Sequence, residues 1–358
     1  MPVLSEDNIY NIAVHLLRAA GASDGHAHTV GRHLADANLA GHDSHGFIRI
    51  LQYVSQIEDD IIDPEAQPMV VNEGLGTTQI NGNSTFGQVV ATFAIQLAID
   101  KARKYGISLI NIFNHAHTGR IGSYTEMVAK EGMAAIMFTG FVGGKTGNNV
   151  APFGGRERRL GTNPISMSFP SATGNPVLLD FATSMAAEGK LRVYRAKGDL
   201  LPDEWVLTEE GVPSRNPNDY YDGGSILPLG GIHGGHKGYA LSFMVALFGA
   251  VMTGLTGPTA SMDDQISGSS VIVIDLGSVA PIDDVMSLAE SAVRYVKDTP
   301  AAENSGGVLY PGEIESNNRQ QRQAQGVYIE QATWDHVLSL IEKYRLQEIL
   351  REHIEIQA

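Results

Sequence analysis

The chain contains no cysteine, which excludes disulfides, thiolate nucleophiles and thiolate-ligated zinc but leaves the compartment open. No long uninterrupted apolar run is present, so no segment reads as a membrane span. Basic residues are scarce: 25 against 40 acidic ones leave a formal charge of −15, with no basic block to offset it. That balance argues against broad binding to nucleic acid or anionic membranes, so any ligand is recognised locally. The pattern G-x-G-x-x-G is missing, and with it the usual dinucleotide fingerprint. Any nicotinamide cofactor must then be held by another fold. The run Gly143-Gly144-Lys145-Thr146-Gly147 is not a P-loop, because the leading Gly140 stands one residue too close and no helical pattern follows.

What is present fits a soluble globular protein: 43% apolar and 18% charged residues over 358 positions allow a large core and room for two domains. Ser5 can cap a helix whose Ile9, Ile12, Ala13, Leu16 and Leu17 follow the 3.6-residue period, unlike a signal peptide. A cytoplasmic protein is expected.

The chain is organised around Gly41-His42-Asp43-Ser44-His45-Gly46-Phe47-Ile48-Arg49-Ile50-Leu51-Gln52-Tyr53. If the segment from about Ser44 is helical, His45, Arg49 and Tyr53 stand at i, i+4 and i+8 on one face. A proton donor and an anion clamp then share a wall. Arg49 can grip a carboxylate with two parallel hydrogen bonds while His45 exchanges a proton with the neighbouring oxygen, and Ser44 can orient His45. The same residues also read as a helix start capped by Asp43 or Ser44, with a surface arginine.

Helices are expected over 5–20, 26–40 and 44–58, and a connector from Asp60 to Pro68 leads into an α/β body. His26 and His28, two apart on a helix, point to different faces and do not make a metal pair. A strand at Thr78–Asn81, a helix over 86–104 with Val89, Val90, Phe93, Ala94 and Leu97 inward, and a strand at Ile107–Phe113 follow. The last runs into Asn114-His115-Ala116-His117-Thr118-Gly119-Arg120-Ile121-Gly122, a strand–loop–helix junction of the kind that meets anions. His117 with Gly119 and Gly122 reads either as a phosphate or nicotinamide contact or as a capping histidine in a turn. Strands at Ala134–Thr139, Ile165–Phe169 and Val177–Phe181 are expected, the last ending in Asp180, which can accept from a ribose, hold a histidine or cap a helix. Residues 195–232 look loop-rich. Glycines from Gly230 to Gly238, with His236 and Lys237 among them, open an apolar helix to about residue 252 and suit cofactor phosphates or ribose. A core strand at Val271–Asp275, a helix at 282–297, an isolated turn at Tyr310–Glu313 and a helix at 331–347 complete the reading.

Six pieces in order now carry a resemblance: Gly41-His42-Asp43-Ser44-His45-Gly46 with Arg49 and Tyr53, His117-x-Gly119-x-x-Gly122, Gly161-Thr162-Asn163-Pro164, Leu179-Asp180-Phe181-Ala182-Thr183-Ser184, Gly235-His236-Lys237-Gly238-Tyr239, and Pro311-Gly312-Glu313. The chain resembles the malate/L-sulfolactate/ureidoglycolate dehydrogenase family, nicotinamide-dependent oxidoreductases of non-Rossmann α/β fold. The resemblance implies a helical domain from residues 1–72 and 298–358, a central α/β NAD(P)-binding domain at 73–297, and a homodimer. It implies NAD or NADP as cofactor and hydride transfer at C2 of a 2-hydroxy or 2-oxo acid, or alternatively reduction of a cyclic or N-substituted imine.

Carried over, His45 is the acid/base, Ser44 its supporting hydroxyl, and Arg49 and Thr162 hold the substrate carboxylate, with Tyr53 beside them. His117, Thr118 and Gly119, Asp180, Phe181 and Ala182, His236 and Lys237, and Pro311, Gly312 and Glu313 line the cofactor. Whether His45 or His117 transfers the proton stays open. The chain departs from the usual pattern at three places: Asp59-Asp60 where a glycine is usual, Glu188 where arginine is common, and the Gly140–Lys145 loop, which is expected to border the substrate. A metal-dependent hydrolase or lyase using His42, Asp43, His45, His115 and His117 is the competing reading, and a non-catalytic binding protein a third. Lys145, Arg319 and Arg322 are candidates for a 2′-phosphate contact.

Overall fold

The computed structural model describes residues 2–144, 148–253 and 266–354. A short strand β1 (Val3–Leu4) leads into α1 (Glu6–Ala19) and α2 (Asp24–Leu39), which start where Ser5 and Ser23 accept from the Asn8 and His26 N–H groups. A 3-10 turn at Asp43–His45 precedes α3 (Arg49–Glu58). The single helix expected over 44–58 is thus broken. The Phe47 N–H donates to the Asn38 Oδ1 at 2.7 Å, and a Cβ on Gly46 would lie 2.2 Å from that same atom, so the backbone leaves the helical path here.

The body then runs β2 (Met69–Glu73), β3 (Thr77–Asn81), α4 (Gly87–Tyr105), β4 (Ile107–Phe113), α5 (Gly122–Lys130), β5 (Ala134–Val142), β6 (Ile165–Phe169) and β7 (Val177–Phe181). Next come α6 (Glu188–Lys197), β8 (Val206–Leu207), β9 (Pro213–Ser214), α7 (Pro217–Tyr221), β10 (Ser225–Ile226), α8 (Gly231–Gly249), β11 (Ile266–Ile274) and α9 (Ile282–Lys297). The chain closes with α10 (Glu313–Gln325), β12 (Val327–Tyr328), α11 (Gln331–Lys343) and α12 (Arg351–Ile354).

Seven strands pair in the order β2-β3-β4-β11-β5-β6-β7. Only β3 and β4 run parallel; the other pairings in this sheet are antiparallel. A mixed sheet of this kind is not a doubly wound dinucleotide fold, in keeping with the missing glycine fingerprint. The buried stripe of α4 is Val90, Ala91, Ala94, Ile95, Ala98 and Ile99, whereas Phe93, expected inward, is 42% exposed. The stretch expected to be loop-rich holds α7, capped by Asn216 with Pro217 in its first turn, and the three-stranded β10-β8-β9 sheet.

A separate core joins both ends of the chain. Ile9, Leu16, Leu34, Phe47 and Tyr53 pack with Val327, Trp334, Val337 and Ile341. Tyr310–Glu313 is no isolated turn but the entrance to α10, a helix without a buried residue. No described helix is long and apolar enough to cross a membrane.

Candidate active site

The turn before α3 and the loop before α5 bring two imidazoles together, with the His45 and His117 ring centroids 5.3 Å apart. Ser44 Oγ lies 2.9 Å from His45 Nδ1. Arg49 reaches back so that its Nε donates to the Ser44 carbonyl at 2.6 Å and its Nη1 to Gln52 Oε1 at 2.7 Å. Behind His117, Tyr53 Oη lies 2.9 Å from its Nδ1, and Gln88 Nε2 donates to that phenol at 2.6 Å. Breaking the expected helix therefore does not disperse the set: the turn carries His45, and α3 carries Arg49 and Tyr53 one turn apart.

Burial first, then the neighbouring Arg49 charge, lowers His45 to about 3. His117 is held well below its ordinary value by burial and by His45. Both rings are neutral at physiological pH. Burial raises the Tyr53 phenol to about 12, so it keeps its proton. Glu188 and Arg192 of α6 reach Arg49 electrostatically, which puts α6 at the edge of the site.

Strand β7 is the spine along which the other segments meet. Its Leu178 N–H donates to the Pro311 carbonyl at 2.9 Å. Asp180 accepts from the Gly122 N–H at 3.1 Å, the first amide of α5, and pairs with Arg120 at 3.3 Å. Just past the strand, Thr183 N–H donates to the Thr162 carbonyl and accepts at its own carbonyl from Leu229, next to the start of α8. Thr118 and Gly119 are buried in the loop between His117 and α5, while Phe181 is 37% exposed at the strand end. His236 and Lys237 are exposed on the first turns of α8, and His236 stands edge-on to Phe153. A cavity of about 280 Å3 opens beside Tyr310 and Glu313, between α9, α10 and the Ser171–Asn175 turn. No hydrogen bond or ion pair among the described residues joins Thr162 or Lys237 directly to Arg49 or His45.

A dinucleotide has matching chemistry here. The first turn of α8 carries no acidic residue, it opens on Gly230 and Gly231 at positive φ, and an exposed Lys237 follows in the next turn. Backbone amides, helix dipole and ammonium together suit a diphosphate. Gly312, at φ +96°, lets the 311–313 turn press onto β7, since a Cβ there would lie 3.0 Å from Leu178.

Several residues escaped the sequence reading. Gln88 and Asn38 are buried amides inside helices, and Arg120 is a fully buried guanidinium among Asp36, Glu126 and Asp180. Arg319 and Arg322, considered for a 2′-phosphate, are instead engaged by Asp36 and Asp43. Lys145 lies outside the described residues. Nor do the histidines assemble a metal site: among the described residues no group of three or more metal-ligating side chains occurs. His42 faces Glu315, and His115 Nδ1 bonds the Ala116 carbonyl.

Paired imidazoles beside a guanidinium, on a mixed non-Rossmann sheet, are groups suited to acid/base chemistry on a small anion. The family described as malate/L-lactate dehydrogenase matches residues 4–338. The malate dehydrogenase of Pyrococcus abyssi is 35% identical over 303 residues, 83% of this chain and 82% of that protein. The L-sulfolactate dehydrogenase of Methanothermobacter thermautotrophicus is 34% identical over 346 residues, covering 94% and 96%. The crystal structure of malate dehydrogenase from Entamoeba histolytica superposes with a TM-score of 0.89 at 26% identity, over 96% of this chain and 98% of that one. The chain belongs to the malate/L-lactate dehydrogenase family.

Proposed function

We propose that the protein is a cytoplasmic NAD(P)-dependent oxidoreductase that interconverts a 2-hydroxy acid and the 2-oxo acid. The observation that carries this reading is the His45–His117 pair, 5.3 Å between ring centroids, set beside Arg49. The cofactor supplies or removes hydride at C2; this chain's residues hold the acid and manage the proton. With its Nε and Nη1 turned to Ser44 and Gln52, Arg49 keeps Nη2 free of a protein partner among the described residues and can grip the substrate carboxylate. Thr162 is its proposed helper.

His45 is the proton carrier, steadied by Ser44. Held neutral by burial and by Arg49, it is ready to accept the hydroxyl proton of a 2-hydroxy acid. In the opposite direction, a bound carboxylate offsets the Arg49 charge and so favours a protonated His45. The segments gathered on β7, with Lys237 and the 311–313 turn, are the proposed cofactor cradle.

A homodimer accords with the outward face of α8, where Ile232, Phe243, Met244 and Phe248 are each 36–46% exposed. Exposed apolar rows of this kind suit a subunit interface.

The test is a fluorescence titration of the purified protein with NADH and NADPH, followed by a panel of 2-oxo acids and cyclic imines scored by loss of nicotinamide absorbance. The reading predicts binding of a cofactor and oxidation by a 2-oxo acid. Oxidation by the imines alone moves the assignment to imine reduction, and no binding removes the oxidoreductase reading.

A further inference from the structure

The hydrogen bonds behind His117 bear on which of its nitrogens carries hydrogen. Gln88 and Tyr53 are both fully buried. The Gln88 amide nitrogen can only donate, and it lies 2.6 Å from the Tyr53 oxygen, so that oxygen is the acceptor. The phenol then has one hydrogen to give, and His117 Nδ1 is 2.9 Å away to receive it. The phenol oxygen could accept from Nδ1 as well, but its own buried hydrogen would then have no acceptor among the described residues, so Nδ1 presents the lone pair. In a neutral imidazole the single hydrogen is then on Nε2. In the orientation observed the Gln88 amino group is spent on the phenol, and Oε1 is left without a partner among the described residues.

His45 is held differently. Its Nδ1 faces the Ser44 hydroxyl at 2.9 Å, and a hydroxyl hydrogen rotates. Ser44 can donate to a bare Nδ1 or accept from a protonated one, so His45 can change charge without losing its partner.

We propose that Gln88 and Tyr53 lock His117 as a neutral Nε2–H donor that polarises the substrate oxygen, leaving His45 as the sole carrier of the transferred proton. This rests on the oxidoreductase reading. In reduction, C2 gains hydride with its electron pair from a dihydronicotinamide, and the carbon–oxygen π pair moves onto oxygen. That oxygen takes the proton from Nε2 of the His45 imidazolium while the His117 N–H bond stays intact. Oxidation reverses each movement. Tyr53 and Gln88 are positioning residues; His117 touches the reacting oxygen as a hydrogen-bond donor.

The direct test is nitrogen-15 NMR of the full chain labelled at histidine, without cofactor or substrate, near pH 7.5. The His117 signals, identified by their loss in His117→Gln, are expected to show hydrogen on Nε2 and a bare Nδ1. Tyr53→Phe should release the lock and mix the two tautomers, and it identifies the ring independently if His117→Gln does not fold. Hydrogen on Nδ1 in the wild type overturns the proposal. In turnover, His117→Gln keeps a donor near the Nε2 position and should lose only about tenfold in kcat, whereas His45→Gln should lose ~10²–10⁴. The opposite ranking also overturns it. A protein that turns over no 2-oxo acid refutes the oxidoreductase reading, while the NMR result still decides the tautomer.

Discussion

Arg322 on α10 grips Asp43 with both arms of its guanidinium, Nη1 at 2.5 Å from Oδ1 and Nη2 at 3.0 Å from Oδ2. Asp43 immediately precedes Ser44 and His45, and Asn38 binds the same turn at both ends, donating to Asp43 Oδ1 and accepting from the Phe47 N–H. The helix that fixes the histidine turn starts just after Gly312, on the turn pressed against β7. One helix therefore links the proposed cofactor cradle to the proposed acid/base.

Arg322→Met should lower kcat by about tenfold, the cost of an imperfectly placed acid/base. Cofactor affinity should change little. Arg322→Lys keeps charge but not the two-armed geometry and should recover only part of the rate. Gln321→Ala, on the exposed side of the same helix, is the control. Steady-state kinetics beside thermal unfolding separate the effect from general instability; a loss tracking Tm across all three variants would assign Arg322 a purely structural role.

Arg49→Lys exchanges a planar fork for a point charge. Its main effect should be on KM for the acid, raised by about tenfold to a hundredfold, with the cofactor Kd near the wild-type value. Substrate titration at saturating cofactor checks this. An unchanged KM would remove Arg49 from carboxylate binding.

The acid limb of kcat/KM for 2-hydroxy acid oxidation reports the base of the free enzyme. With His45 lowered to about 3, the limb should lie well below 6.5, because the neutral form persists as the pH falls. Arg49→Gln removes the neighbouring positive charge and should shift the limb upward. A pH profile of both proteins measures it, and a wild-type limb at or above 6.5 would contradict the assignment.

Stability should depend on pH through His33, which is buried against Tyr124 and accepts from the Arg120 N–H through Nε2. Burial lowers it to about 4 from 6.5, so the unfolded chain binds the proton that the folded chain refuses. The contribution is complete above 6.5 and is lost as the pH falls towards 4, by up to about 1.4 kcal/mol per pH unit. Urea unfolding of wild type and His33→Gln between pH 7 and 4.5 should show the slope reduced in the variant.

Arg120→Met should destabilise the fold by about 3–5 kcal/mol, because Asp180 and Glu126 would be left partly buried without their guanidinium. Chemical denaturation measures the loss, and a change under 1 kcal/mol would mean that water or Arg319 replaces it.

The legible part of the site lies close along the chain. Ser44, His45, Arg49 and Tyr53 declare themselves by type and spacing, and His117 by its place between a strand and a helix start. Gln88, Asn38 and Arg322 do not, because their meaning depends on partners brought in by folding; Arg322 and Asp43 are 279 positions apart. Asp180 reads in the sequence as a ribose acceptor, a histidine holder or a cap at a strand end; the fold directs it to the first amide of α5 and to Arg120. For the elements, apolar periodicity locates β4, β6, β7 and α9 with the same bounds in sequence and structure. It fails for α10, whose Glu313–Gln325 sequence carries little apolar stripe and which is tied down by ion pairs to Asp36 and Asp43.

The most direct measurement follows nicotinamide absorbance with NADH or NADPH and a 2-oxo acid panel, using wild type and His45→Ala side by side. The account predicts turnover by the wild type and a loss of ~10²–10⁴ in kcat in the variant, with cofactor binding retained. Near-normal turnover by His45→Ala would contradict it.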